Sequence, residues 1–142
     1  MKTYYTLGFL FDKTHENVLL IRKNRPSWQR LKLNGCGGHT EEGEEPEECI
    51  SREFDEEVSH INAQIRWLYY AAMDNAEFRV DCFVATGCLT DVKAKTDEPV
   101  EIIKVADISK LRGEMVENLP WLIYMALDNL EDNRPTFAMI HY

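Results

Sequence analysis

One acidic stretch, residues 38 to 61, constrains this chain more than any other part of its sequence. It reads GHTEEGEEPEECISREFDEEVSHI and contains the pattern G-x5-E-x7-R-E-U-x-E-E, in which U is an apolar residue. The fixed positions are Gly38, Glu44, Arg52, Glu53, Glu56 and Glu57. Because a proline suits the first position of a helix, where its missing N–H costs nothing, we expect a helix to begin at Pro46.

The predicted helix carries two adjoining stripes. At about 100° per residue, three carboxylates converge on one side of it: Glu53, Glu56 and Glu57. The apolar stripe beside them can anchor the helix to a core: Ile50, Phe54 and Val58. Three neighbouring carboxylates repel one another at pH 7, so they predict a hard divalent cation, and Mg²⁺ in particular joins carboxylates to substrate phosphates. The alternative is a solvated acidic helix face.

The stretch resembles the Nudix box, the signature of the Nudix hydrolases, and the resemblance extends over nearly the whole chain. It implies an α+β protein with the Nudix fold, an α/β/α sandwich whose mixed β-sheet lies between helices. It also implies metal ligands, which would be the main-chain carbonyl of Gly37 and the side chains of Glu53, Glu56 and Glu57. Arg52 would hold neighbouring carboxylates in place, and Glu44 would support the loop.

Two positions depart from the Nudix box, which normally closes with a glycine and an apolar residue. Ser59 and His60 stand there instead. Because glycine suits a left-handed helix end, we expect Ser59 to change how the helix ends, with Ile61 supplying the apolar contact. If Ser59 took the left-handed conformation, Ser59→Gly would stabilise the fold.

Nudix enzymes cleave nucleoside diphosphates linked to another group, and the resemblance implies residues for that reaction. Glu53 is a candidate for accepting the proton of the attacking water. The family often adds a glutamate from outside the box, for which Glu98 is our choice and Glu101 the competitor. The alternative for both is a solvated charge at the end of a strand.

Charge and composition exclude several classes of function. Residues 41–57 hold ten acidic residues and one base, so they carry the whole net charge of −9, and the remaining fifteen acids and fifteen bases balance. Nothing resembles the basic stripe that a nucleic-acid polymer requires. No segment approaches the roughly 18 apolar residues of a membrane span. Four cysteines without a C-x-x-C pair predict free thiols in a reducing cytoplasm.

The length of the chain predicts one domain, residues 1–142, and hydrophobic periodicity predicts that it consists of strands and two helices. We expect the strands over 4–11, 17–21, 63–73, 78–89, 98–105 and 136–141. After the helix that begins at Pro46, a second helix is expected over 119–130, with a short helical turn over 107–112. Residues 132–135, which include a proline, should break the chain before the last strand.

Two segments suggest a substrate class within the family. Residues 33–38, LNGCGG, resemble the N-G-x-G-G of MutT-like enzymes, and residues 117–122, ENLPWL, resemble the segment where those enzymes place an acidic or amide side chain against the base. The resemblance implies conversion of a purine nucleoside triphosphate, an oxidised one included, into monophosphate and pyrophosphate. Mg²⁺ would be the cofactor, with Mn²⁺ as a substitute.

The residues expected to bind this nucleotide are Asn34, Asn118, Gly38, Lys23 and Trp28, with Met115 and Phe137 as further apolar surface. Core packing is the favoured role for Phe137. The alternatives for the two amides are a turn residue at Asn34 and a helix N-cap at Asn118. Hydrolases of ADP-ribose typically carry a proline shortly after the box, and no proline lies between Pro46 and Pro99. The missing proline argues against ADP-ribose, but ADP-ribose, dinucleoside polyphosphates and nucleotide sugars all stay open as alternative substrates, as does a non-catalytic nucleotide-binding regulator.

Overall fold

The computed structural model describes residues 1–132 and 136–142. Its strands are β1 (Thr3–Phe11), β2 (Asn17–Arg22), β3 (Leu33–Asn34), β4 (Val58–Ser59), β5 (Leu68–Asp74), β6 (Phe78–Thr86), β7 (Lys93–Ala94), β8 (Val100–Lys104) and β9 (Ala138–His141). Its α-helices are α1 (Pro46–Glu57) and α2 (Leu119–Glu131), and two 3-10 helices cover Ser27–Gln29 and Val105–Glu114. Within these described ranges, no helix has both the length and the apolar character to cross a membrane.

Seven strands form one mixed sheet. β3, β2, β1, β6, β5 and β9 are neighbours in that order, and β8 pairs with β2. β1 runs parallel to β6, and β5 runs parallel to β9, whereas the other pairs are antiparallel. β4 and β7 form a separate two-stranded ribbon. The predicted mixed sheet is therefore confirmed.

Helices cover both faces of this sheet. Successive side chains of a strand point to opposite faces, so Leu10 packs in a cluster with Ile50 and Phe54 of α1. The preceding residue, Phe9, packs in the other cluster with Leu122 of α2. The apolar stripe predicted for α1 is fully buried, and the α/β/α sandwich is confirmed.

The glycine-rich segment is held between two strands. β1 and β2 pair only at Leu10–Leu19 and Phe11–Val18. Further along, β2 pairs with β3, and the chain after β3 bridges to β1 at Gly8–Cys36 and Tyr5–His39. Residues 33–39 therefore lie between β1 and β2. Gly37 has φ +140°, and a Cβ there would lie 2.0 Å from the carbonyl oxygen of Thr6, so only glycine fits this approach.

The helix does not end in a left-handed cap, in line with the changed end expected for Ser59, but the apolar contact expected from Ile61 was wrong. α1 passes directly into β4, because Val58 is already extended (φ −131°) and Ser59 pairs with Lys93 of β7. Ser59 thus lies in a strand and not in a left-handed cap. Ile61, which was expected to supply an apolar contact, is 64% exposed. His60 takes that place, since its ring lies 4.9 Å from the ring of Phe54.

The other strand boundaries differ from the prediction by up to three residues, except at the start of β5, where the difference is larger. The strand expected over 63–73 begins only at Leu68. Trp67 is buried, and its ring packs edge-on against Phe54 at 5.6 Å. The stretch before Leu68 therefore packs against α1 instead of extending the sheet. The break expected over 132–135 falls largely on residues 133–135, which lie outside the described residues.

Candidate active site

Arg52 is the centre of the charge network on α1. Its Nε and Nη2 donate to the two oxygens of Glu44 at 2.7 and 3.0 Å, and its Nη1 donates to Glu53 at 3.1 Å and to Glu56 at 3.2 Å. Nη2 also donates to the carbonyl of His39 at 3.0 Å. The hydrogen bond from Arg52 lowers the pKa of Glu44 to about 2. Arg52 thus ties the loop before α1 to the carboxylates of the helix.

Glu57 is a buried carboxyl group in contact with the glycine loop. It is 9% exposed, and its Oε1 accepts the N–H of Gly37 at 2.9 Å. Burial raises the pKa of Glu57 to about 7, although the N–H of Gly37 and the charge of Lys23 act in the opposite direction. The charges of Glu53 and Glu98 raise this pKa further. Glu57 is therefore a carboxyl group for which ionisation is costly unless a cation is present.

Glu53 and Glu56 lie on α1 in different environments. A Cβ on Gly38 would lie 2.6 Å from the carboxyl carbon of Glu53, so the absence of a side chain at Gly38 makes room for this carboxylate. Burial raises the pKa of Glu53. The side chain of Glu56 is 57% exposed and is held by Arg52.

Glu98 and Lys23 join the site from loops outside the box. Glu98 is 6% exposed; Lys23 Nζ donates to it at 2.8 Å, and the N–H of Asn24 donates to it at 2.7 Å. Burial alone would raise the pKa of Glu98, but these hydrogen bonds outweigh it and lower the pKa. The competitor, Glu101, is held by two hydrogen bonds from Arg22 at 2.6 and 2.9 Å. The geometry therefore favours Glu98 over Glu101 as the additional glutamate.

These donors fit a hard divalent cation. Within residues 1–132 and 136–142, no three histidine, cysteine, aspartate or glutamate side chains are already gathered around one metal position. However, Glu53 and Glu98 lie close enough to Glu57 for their charges to raise its pKa. Their oxygen atoms are the ligand type that Mg²⁺ prefers, and a bound cation would relieve the repulsion among them.

Asn118 and Met115 line a cavity of about 380 Å³ beside the start of α2, together with Arg112, Val116, Glu117, Pro120 and Trp121. This cavity adjoins the glycine segment, since Leu33 bridges to Met115 and accepts a hydrogen bond from the N–H of Val116. Asn118 occupies the N-cap position of α2, which was the alternative for it, and its carbonyl accepts the N–H of Leu122 at 3.2 Å, but its side chain makes no capping bond. It adopts a left-handed conformation with φ 69°.

Asn34, Trp28 and Phe137, which were also expected at the nucleotide, do not line this cavity. The Asn34 side chain accepts the N–H of Gly35 at 2.8 Å and donates to Gln29 at 3.0 Å, so it serves the turn that was the alternative for it. Trp28 is 67% exposed on the loop after β2. Phe137, for which core packing was favoured, is 48% exposed and lies edge-on to Tyr69 at 4.7 Å. That expectation was wrong.

A larger cavity of about 1070 Å³ lies on the α1 side of the sheet. Its walls are the first residues of β1, the loop before α1, and the side chains of Tyr69, Arg79, Asp81 and Phe83. Neither cavity is lined by Glu53, Glu56 or Glu57. Volume alone therefore does not identify the place of the chemistry.

Two residues near Asn118 were not predicted as functional from the sequence. The indole Nε1 of Trp121 donates to Asn118 Oδ1 at 3.2 Å, and Asn118 Nδ2 donates to the hydroxyl of Tyr142 at 3.0 Å. Trp121 follows Asn118 by three residues, a spacing that brings side chains together at a helix start. Tyr142 lies 24 residues away in sequence, and no local pattern connects it with Asn118.

A glycine loop and an arginine-held acidic helix, carried on an α/β/α sandwich, define a hydrolase that acts on pyrophosphate bonds. The chain belongs to the Nudix family, because the NUDIX domain model matches residues 1–126. No curated protein matches the chain.

Solved structures of the same fold share little sequence with this chain. A NUDIX hydrolase from Nitrosomonas europaea is similar with a TM-score of 0.75 and 16% identity, covering 99% of this chain and 80% of its own. MutT, from a study of the Aliivibrio salmonicida and Vibrio cholerae proteins, is similar with a TM-score of 0.64 and 18% identity. The match covers 78% of this chain and 86% of the MutT chain. The NUDIX domain of Shewanella oneidensis NrtR, complexed with ADP ribose, is similar with a TM-score of 0.72 and 16% identity. The match covers 92% of this chain and 89% of that domain's chain.

Proposed function

We propose that this protein hydrolyses a purine nucleoside triphosphate, including an oxidised one, to the monophosphate and pyrophosphate with Mg²⁺, for which Mn²⁺ can substitute. The observation that carries the proposal is the environment of Glu57. Its buried carboxyl group lies against the glycine loop beside Glu53 and Glu98, and its pKa is raised to about 7. A reducing cytoplasm suits the four free cysteines of the chain.

The proposed metal ligands are Glu53, Glu56, Glu57 and the main-chain carbonyl of Gly37. Bound there, Mg²⁺ would supply positive charge to phosphate oxygens and acidify a water molecule. Arg52 keeps two of these carboxylates in place through Nη1. Arg52 and Glu53 are therefore proposed as catalytic groups, the first positioning the carboxylates and the second accepting a proton.

Glu53 suits proton transfer better than Glu98 does. Burial raises the pKa of Glu53, whereas hydrogen bonds lower that of Glu98. A base is more effective when its pKa lies nearer to the working pH. Glu98 remains ionised beside Lys23 and adds negative charge to the cation site, and Lys23 brings a cation next to the position proposed for the substrate phosphates.

Recognition of the base is proposed at the cavity beside α2. Asn118 offers both a donor and an acceptor there, and Met115 offers apolar surface. Gly38 is also retained in the proposal, because its lack of a side chain leaves room for the carboxylate of Glu53. Asn34 and Trp28 are retained in supporting roles, since Asn34 shapes the turn that precedes Gly37 and Trp28 lies on the loop that follows Lys23.

The test is a panel of nucleotides assayed for pyrophosphate or phosphate release with Mg²⁺ and with EDTA. It includes the nucleoside triphosphates of guanine, 8-oxoguanine, adenine and a pyrimidine. It also includes ADP-ribose, because the similar Shewanella domain was solved with that compound. We expect release of pyrophosphate from a purine triphosphate, dependent on Mg²⁺. Preferential cleavage of ADP-ribose, or no cleavage of any nucleotide, would refute the proposal.

Two variants locate the reaction and the recognition separately. Glu56→Gln keeps the size of the side chain but removes a proposed ligand charge, so turnover should fall by at least roughly 10²–10³ on every substrate. Asn118→Ala should reduce kcat/KM for the preferred purine by about one to two orders of magnitude and affect a poor pyrimidine substrate much less. Equal losses on all nucleotides for Asn118→Ala would remove the purine assignment but leave the hydrolase.

A further inference from the structure

The side chain of Asn118 is held at both ends by groups whose hydrogen-bonding roles are fixed. The indole N–H of Trp121 can only donate, so the atom that faces it at 3.2 Å must be the carbonyl oxygen of the amide. The hydroxyl of Tyr142 donates to Met73 Sδ at 3.4 Å. Since that hydroxyl has a single proton, it must accept from Asn118, and the group facing it at 3.0 Å must be the NH₂.

We propose that Tyr142 is a specificity-determining positioning residue, which together with Trp121 fixes the Asn118 amide in one orientation and so selects between 6-oxo and 6-amino purines. This inference rests on the proposed recognition of a purine at Asn118. Tyr142 does not line the cavity, whereas Asn118 and Trp121 do. It therefore acts through Asn118, without contact to the base.

Amide orientation matters because the two purine classes present opposite patterns of donors and acceptors. A 6-oxo purine has an acceptor at position 6 beside a protonated ring nitrogen, whereas a 6-amino purine has a donor there beside an unprotonated one. An amide that could turn by 180° would satisfy either pattern. An amide held with its oxygen toward Trp121 and its NH₂ toward Tyr142 satisfies only one pattern for a base bound in a given pose.

The backbone at Asn118 adds to this restraint. Its left-handed conformation (φ 69°) is one that asparagine adopts more readily than most residues. The two residues that follow it, Leu119 and Pro120, form the start of α2, and both are buried. Tyr142 is fixed in turn by its main-chain N–H, which donates to the carbonyl of Asp74 at 3.2 Å, and by its ring, which lies 5.8 Å from that of Phe78. Tyr142 follows β9 directly, and these two contacts tie it to the end of β5 and the start of β6.

The first test is Tyr142→Phe, which removes the hydroxyl and keeps the ring. The measured quantity is the kcat/KM for the nucleoside triphosphate of guanine or 8-oxoguanine, divided by the kcat/KM for the nucleoside triphosphate of adenine. Losing one orienting hydrogen bond should bring this ratio about three- to tenfold closer to one. The change should appear in KM, with kcat nearly constant. Tyr142→Phe combined with Trp121→Phe should bring the ratio closer to one still.

Two further variants keep the test decisive. Met73→Leu replaces the thioether by a side chain of similar volume, so the Tyr142 hydroxyl becomes free to donate to a turned amide, and the ratio should again move toward one. Tyr124→Phe is the matched control, because Tyr124 is an exposed tyrosine on α2; it should leave the ratio unchanged.

The result that overturns the inference is an unchanged ratio in Tyr142→Phe, or an equal loss on every nucleotide in that variant. This outcome is distinguishable from a failure of the proposed function. If Asn118→Ala abolishes the discrimination while Tyr142→Phe preserves it, Asn118 reads the base without the restraint. If Asn118→Ala also preserves the discrimination, the purine site itself is wrong.

Discussion

Glu57→Gln should have opposite effects on stability and on turnover. In the metal-free protein, Glu57 is 9% exposed and its pKa is raised from 4.5 to about 7, mainly by burial. Between these two values the folded state binds more protons at Glu57 than the unfolded state, so stability falls as the pH rises. At about 1.4 kcal/mol for each pH unit, the full penalty above pH 7 is about 3 kcal/mol.

Glutamine cannot ionise, so the variant avoids this penalty. With EDTA at pH 8 we expect Glu57→Gln to be more stable than the parent by up to about 3 kcal/mol, and at pH 5 by about 1 kcal/mol. The amide oxygen can still accept the N–H of Gly37. Urea unfolding at both pH values measures these differences. Carboxyl groups with lowered pKa values, such as Glu98, stay ionised over this range and do not contribute to the change.

Mg²⁺ should reverse the order of the two proteins. A ligand present at 1,000 times its Kd stabilises the folded state by about 4.1 kcal/mol, which exceeds the penalty of about 3 kcal/mol at Glu57. The variant lacks one of the proposed ligand charges. The parent should therefore gain stability from Mg²⁺ at pH 8 while Glu57→Gln gains little and turns over slowly. The reasoning is refuted if the variant loses as much stability as the parent between pH 5 and pH 8.

Two further changes test how the fold supports the site. Ser59→Gly should destabilise the protein by about 0.5–1 kcal/mol in thermal unfolding, because Ser59 lies in β4 and glycine weakens a strand; stabilisation would restore the left-handed helix end. Gly37→Ala should cost at least about 3 kcal/mol, because its Cβ would meet the Thr6 carbonyl. Gly43→Ala is the control, since Gly43 has φ +79° but open space around it, and about 1–2 kcal/mol is expected there. Equal losses in the two glycine variants would contradict the close approach at Gly37.

Local spacing explains why so much of the acidic helix was predictable. Pro46 does begin α1, and the apolar stripe of Ile50, Phe54 and Val58 is buried, because helical periodicity acts within a few residues. The glutamate pattern then places the carboxylates beside that stripe. The order of the longer strands and of the two helices followed from hydrophobic periodicity in the same way, whereas the α/β/α sandwich was implied by the resemblance to the Nudix family.

Contacts between distant segments explain what the sequence did not predict. The end of α1 depends on the pairing of Ser59 with Lys93, which lies in another loop. Glu98 was expected ahead of Glu101, but the contacts that distinguish them, Lys23 with Glu98 and Arg22 with Glu101, join distant segments. The hydroxyl of Tyr142 reaches Asn118 only because β9 lies beside β5. None of these pairings leaves a local pattern.

The position of residues 33–39 between β1 and β2 has a consequence for how such a protein can diverge. Gly37 and Gly38 belong to the interior of the sheet, so most substitutions there would cost folding before they altered chemistry. Trp28 and Asn118 stand on connections outside the sheet, where an exchanged side chain disturbs the packing of the sheet less than it would at Gly37. Preference for a new nucleotide could therefore evolve by changes in these two connections while the hydrolytic residues stay the same.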